Sequence, residues 1–154
     1  EPARPAPQPV KALAKALEPM ARRTVKHEIP AHVAREVASY SEKLNVSARE
    51  VVEAIDDGLP RDLEKRFING TTDVFVKRLY EQRSKRMVTA VGKRYGAERL
   101  LRSRINGYIR LFEKLLDQLS EMPGGSEALD AVLASQHGQV YLTLAESAGR
   151  VPET

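Results

Sequence analysis

Arg23-Thr24-Val25-Lys26-His27-Glu28-Ile29-Pro30 is a stretch in which side-chain character alternates with a period of two. On a strand, Val25, His27 and Ile29 share one face, and Thr24, Lys26 and Glu28 share the other. Pro30 lacks an amide hydrogen, so it ends the strand and suits the first turn of a helix. Val33, Val37, Tyr40 and Leu44 then recur at helical spacing, which predicts a helix over about 31–44. Asn45 and Val46 interrupt it. Ser47-Ala48-Arg49-Glu50 has the form of a capping box, in which the Ser47 hydroxyl accepts from the third amide and Glu50 reaches back. A second helix therefore starts at Ser47, turns Val51, Val52, Ile55 and Leu59 inward, and stops at Gly58 and Pro60.

Working outward, residues 1–9 carry four prolines and read as an extended tail, followed by a short helix through Val10, Leu13, Ala14 and Leu17. C-terminal to the quoted stretch the pattern is helical. A helix capped at Thr71 or Thr72 is expected to run to about Tyr95 and close at Gly96. Next comes the cleanest apolar stripe of the chain: Leu101, Ile105, Tyr108, Phe112, Leu115, Leu119 and Met122 form a heptad seam. It serves either as a dimer interface or as the core of a bundle. Pro123-Gly124-Gly125 reads as a turn, and Ser126 as the cap of a last helix burying Leu129, Val132, Leu133, Val140 and Leu144.

The 154 residues suffice for one compact domain or a small module joined to a helical one, and aromatics supply only 5% of them, so Leu, Val, Ile and Ala must build the core. No apolar run reaches the roughly 18 to 20 residues of a membrane-spanning helix. The absence of cysteine removes disulfide, thiolate and cysteine-ligated metal chemistry. Charge is polarised along the chain. From Lys77 to Arg110 there are eleven basic residues against two acids, whereas residues 111–154 carry two against seven. The basic run, with Lys77, Arg78, Arg83, Lys85, Arg86, Lys93 and Arg94 in its first part, is either a phosphate-binding stripe or a solvated face that meets an acidic neighbour.

The order strand, helix, turn, helix in residues 24–59 resembles the ribbon-helix-helix family of DNA-binding proteins, of the met-repressor and Arc type. The resemblance rests on Val25, His27 and Ile29, on Pro30, on Val33, Val37 and Tyr40, on the turn Leu44-Asn45-Val46-Ser47, and on Val51, Val52 and Ile55. It implies a dimer whose paired strands enter the major groove of double-stranded DNA. Thr24, Lys26 and Glu28 would then face the bases, Arg22 and Arg23 would add attraction, and the amides at Ser47 and Ala48 would hold a phosphate. His27 and Glu28 depart from the family's usual aliphatic and polar or basic residues.

The fold expected from these readings is mainly α: a ribbon-helix-helix-like module of one short strand and two helices, then a bundle of three or more helices. Residues 1–22 form a tail and short helix, 23–59 the DNA-binding and dimerising module, and 60–154 an oligomerisation or partner-binding domain. The expected function is that of a cytoplasmic, nucleoid-associated DNA-binding protein, a transcriptional regulator or accessory factor of plasmid transfer or partition, acting as a homo-oligomer. The alternative is an all-helical scaffold that docks other protein subunits. Neither is an enzyme, and no cofactor or metal is expected. His27, His32 and His137 lack zinc-site spacing. Gly92-Lys93-Arg94-Tyr95-Gly96 is not a phosphate loop, and Asn69-Gly70-Thr71 reads as a turn.

Overall fold

A computed structural model describes residues 29–150 of the chain. These residues form helices α1 (Ala31–Asp56), α2 (Arg61–Ile68), α3 (Val74–Gln82), α4 (Lys85–Ala97), α5 (Arg99–Glu121), α6 (Ser126–Ala134) and α7 (Gln136–Ser147). No strand occurs among the described residues.

The expected ribbon-helix-helix module is overturned here. One unbroken 26-residue helix, α1, runs through Leu44, Asn45, Val46 and Ser47, where the sequence reading placed a turn between two helices. The reason is packing. Asn45 and Ser47 are buried, so they do not turn the chain toward solvent. The Asn45 amide reaches long-range partners, with Nδ2 donating to Thr72 Oγ1 at 3.4 Å and Oδ1 lying 2.8 Å from His137 Nε2. Ser47 lies inside the helix and caps nothing. Val33, Val37, Leu44, Ala48, Val51 and Val52 keep one buried phase across the supposed break. Of the expected strand, residues 24–28 lie outside the described ones, and Ile29 and Pro30 adopt no regular structure. The short helix expected near residues 10–17 also lies outside them.

α1 and α5 are antiparallel. Gln118 near the end of α5 donates to Glu36 near the start of α1 at 3.1 Å, while Arg104 near the start of α5 lies 3.8 Å from Glu50 and 4.0 Å from Glu53. The heptad stripe of α5 is the core of the bundle. Leu101, Ile105, Tyr108, Phe112, Leu115 and Leu119 are buried together with α1, with Phe75 and Leu79 of α3, and with Val140 and Leu144 of α7. Each such side chain contributes about 1.5 to 3 kcal/mol by leaving water. Phe112 stacks on Tyr141 with centroids 4.6 Å apart, and the Tyr108 hydroxyl donates to the His137 carbonyl at 2.9 Å.

Two expected helices are each split. Ser84 caps α4 by accepting from the Met87 amide at 3.1 Å, so the helix expected over 71–95 becomes α3 and α4. Ser135 caps α7 in the same way, its Oγ 3.2 Å from the Gly138 amide, and separates it from α6. α2 lies where no helix was expected. Arg49 holds it to α1 with two hydrogen bonds to Glu64, at 2.9 and 2.8 Å, and Phe67 packs on Phe75. α1 stops two residues before the expected Gly58: Asp57 takes the left-handed conformation at φ 56°, and the Gly58 amide bonds to the Glu53 carbonyl at 2.9 Å. At the other end of α1, Pro30 rests on the turn after α5: a Cβ on Gly124, at φ +78°, would stand 2.7 Å from the Pro30 Cγ.

Candidate nucleic-acid interface

The eleven basic residues from Lys77 to Arg110 separate into two sets in the folded chain. Arg94 of α4 reaches the end of α1, donating to the Ile55 carbonyl at 2.7 Å and the Ala54 carbonyl at 3.0 Å. The last carbonyls of a helix have no partners in their own helix and carry partial negative charge, so this guanidinium caps α1 from outside. It also grips Glu98 with bonds of 2.8 and 3.0 Å, which holds the Glu98 carboxyl below the usual carboxylate range. Arg78 bonds Asp56 at 3.0 Å, with its Nε enclosed and unpartnered. Arg102 of α5 serves α4 as Arg94 serves α1, bonding the Tyr95 carbonyl at 2.9 Å and the Gly96 carbonyl at 3.2 Å. Arg104 faces Glu50 and Glu53. Arg83 lies 3.8 Å over the Tyr80 ring and bonds the Tyr80 carbonyl. These five arginines hold helix ends and helix pairs together.

The other six, Lys77, Lys85, Arg86, Lys93, Arg99 and Arg110, are exposed and form no ion pair with the described residues. Three of them lie on α4, whose only buried residue is Val91. Tyr95 and Arg94 turn that helix toward α5 and α1: the Tyr95 hydroxyl donates to Asn106 at 2.8 Å. Gly92 lets it approach α7 so closely that a Cβ would come 3.1 Å from the Ser147 carbonyl oxygen. The opposite side carries Arg86, Thr89, Ala90, Lys93 and Ala97, all exposed, with Lys85 beside them. Arg86 and Lys93 are two turns apart, about 10 Å along the axis. α4 contains no acid, and Lys85 and Arg86 occupy its first turn. That is the positive end of the helix dipole, where acids are the stabilising choice, so their charge raises a field that is already positive.

Of the residues expected to contact DNA, Arg22, Arg23, Thr24, Lys26 and Glu28 lie outside the described residues. Ser47 and Ala48, at 7% and 0% exposure, sit inside α1. In the basic surface, Lys77, Lys85, Arg86 and Lys93 face solvent without an ion pair, whereas Arg78, Arg83 and Arg94 have the partners given above. Thr89, Ala90 and Ala97 were not singled out in the sequence. Their signal is their spacing with Arg86 and Lys93.

His137 anchors a separate polar cluster with Asn45, Thr72 and the Tyr108 hydroxyl where α1, α5 and α7 meet. Burial pushes its pKa down to about 4 against the pull of Asp73, so its Nε2 donates to Asn45 as a neutral ring. His32 Nε2 lies 3.1 Å from the Pro123 carbonyl oxygen. Among the described residues, no group of three or more His, Cys, Asp or Glu side chains is placed to hold a metal ion. None of the helices there is long and apolar enough to cross a membrane. No protein-family model, curated protein or solved structure matches the chain.

Proposed function

We propose that this chain is a non-enzymatic binding protein that holds double-stranded DNA by its phosphate backbone, with the outward side of α4 as the contact. The observation that carries the reading is the division of the basic run. Five arginines find partners within the fold, while Lys85, Arg86 and Lys93 stand unpaired on a helix free of acids. Phosphate oxygens are contacted by Lys, Arg, Ser and Thr side chains and by the amides of helix N-termini, and α4 presents this chemistry from Lys85 to Lys93. The face carries no large apolar side chain; among the described residues the exposed large hydrophobics are Val46, Ile68 and Leu100. A permanent protein partner would call for an apolar centre in the patch. Small Ala90 and Ala97 leave room for a sugar-phosphate strand.

Binding of this kind follows the backbone and does not read bases. The reading is tested by fluorescence anisotropy with a mixed-sequence duplex across a salt series. Neutralising each phosphate releases about 0.9 of a counterion, so replacing Lys85, Arg86 and Lys93 together by Ala is expected to weaken binding at least tenfold at low salt. The same change flattens the slope of log affinity against log salt by about 2 to 3. An unchanged slope in the triple variant removes α4 as the contact. Absence of binding by the unaltered chain at low salt overturns the DNA reading and returns the scaffold alternative, in which this face holds an acidic protein.

A further inference from the structure

α5 has a second face. At 100° per residue, Arg99, Ser103, Arg110, Lys114, Asp117 and Glu121 fall on the side opposite the buried stripe, and all six are exposed. The last four form a block of two positive charges followed by two negative ones. Arg110, Lys114, Asp117 and Glu121 make no side-chain hydrogen bond or ion pair with the described residues.

This order is poor for the helix alone. Solvated helix faces gain from opposite charges three or four residues apart; Lys114 and Asp117 are one such pair, but Arg110 and Lys114 are a like pair four apart, and so are Asp117 and Glu121. The order suits a twin. When a second α5 is laid antiparallel across the first, about a twofold axis passing between Leu115 and Leu116, Arg110 comes opposite Glu121 of the second copy. Lys114 then comes opposite its Asp117. The twofold makes each pair occur twice, giving four ion pairs from one self-complementary stripe, and only the antiparallel arrangement sets unlike charges together throughout. Gly107 lies on the edge of this face, and a Cβ there would meet nothing within 4 Å, so no contact among the described residues calls for a glycine in mid-helix.

We infer that the outward face of α5 is a homodimer interface in which two copies pair antiparallel through Arg110, Lys114, Asp117 and Glu121. The inference does not rest on DNA binding and uses none of the residues tested for it. Because the pairs lie at the surface, the dimer is held by screened electrostatics and is salt-sensitive.

Sedimentation equilibrium of the full chain without DNA tests this. A dimer is expected at about 0.01 M salt, where the screening length is about 30 Å, and a monomer at about 1 M, where it is about 3 Å. Arg110→Glu with Lys114→Glu makes the stripe wholly negative, and Asp117→Lys with Glu121→Lys makes it wholly positive. Each double variant is expected to be monomeric at low salt with an unchanged helical circular dichroism spectrum, and their mixture to form a heterodimer. The fourfold variant carrying both changes regains a self-complementary stripe and is expected to dimerise like the original. A monomeric unaltered chain at low salt, dimeric double variants, or folded double variants that fail to pair in the mixture would each overturn the assignment. The first of these needs no variant.

Discussion

α5 and α4 are neighbours in sequence and in space, yet they are built on different principles. α5 buries seven residues in 23, whereas α4 buries only Val91 in 13. α5 is held by area removed from water. α4 is held by directional fixings: Arg94 at the end of α1, Arg102 at its own end, Tyr95 on Asn106, and the close approach at Gly92. A helix fastened at points keeps one side free for unpaired charge. A helix fastened by its core determines where the other helices lie.

The largest effect expected from this contrast is in α5. Phe112→Ala removes a wholly buried ring that stacks on Tyr141 and is expected to cost about 3 to 5 kcal/mol, read from the urea midpoint. Val91→Ala removes less volume from a helix that buries little, and is expected to cost clearly less. Equal costs would break the contrast. It sharpens if hydrogen exchange shows the α4 amides opening before those of α5.

Next in size is the His137 cluster, which ties α7 to the α1–α5 pair. The folded pKa of about 4 lies below the ordinary value of 6.5. Between those two values the unfolded chain takes up a proton that the folded chain refuses. The contribution of His137 to stability is therefore complete above pH 6.5 and falls as the pH drops toward 4, by about 3 kcal/mol. His137→Gln keeps an N–H to donate to Asn45 and is expected to remove this part of the slope. Urea midpoints of both proteins at several pH values decide the matter, and identical slopes would sink it.

The smallest effect is on α4 itself. Arg86→Glu places an acid in the first turn of the helix and is expected to stabilise the fold by about 0.3 to 1 kcal/mol, seen as a slightly higher Tm. The same change should weaken DNA binding. A variant that loses stability would mean that Arg86 has a structural role like that of Arg94.

The apolar half of this architecture was legible in the sequence. From Leu101 to Leu119 the heptad positions on α5 are buried as their spacing predicts, and α1 ends at Asp56, within two residues of the expected Gly58. The polar half was not. Asn45 and Val46 read as a break and Ser47 as a cap, because Asn and Ser often bond nearby backbone, and only the placement of Thr72 and His137 beside Asn45 shows why the helix continues. The unbroken phase of Val37, Leu44, Ala48 and Val51, with no glycine or proline among them, was the available counter-signal. The breaks at Ser84 and Ser135 lie in strongly helical surroundings, where a single serine is a weak mark. The basic run was visible as a run, but which arginines it leaves unpaired depends on where α1 ends and α4 lies against it.

That α1 is one uninterrupted rod also sets a scale. At 26 residues it is about 39 Å long, with Pro30 and the turn after α5 at one end and Arg94 of α4 at the other. The contacts that fix its two ends come from different parts of the chain, so a change at Pro30 and one at Arg94 act on the same rod from opposite sides of the bundle.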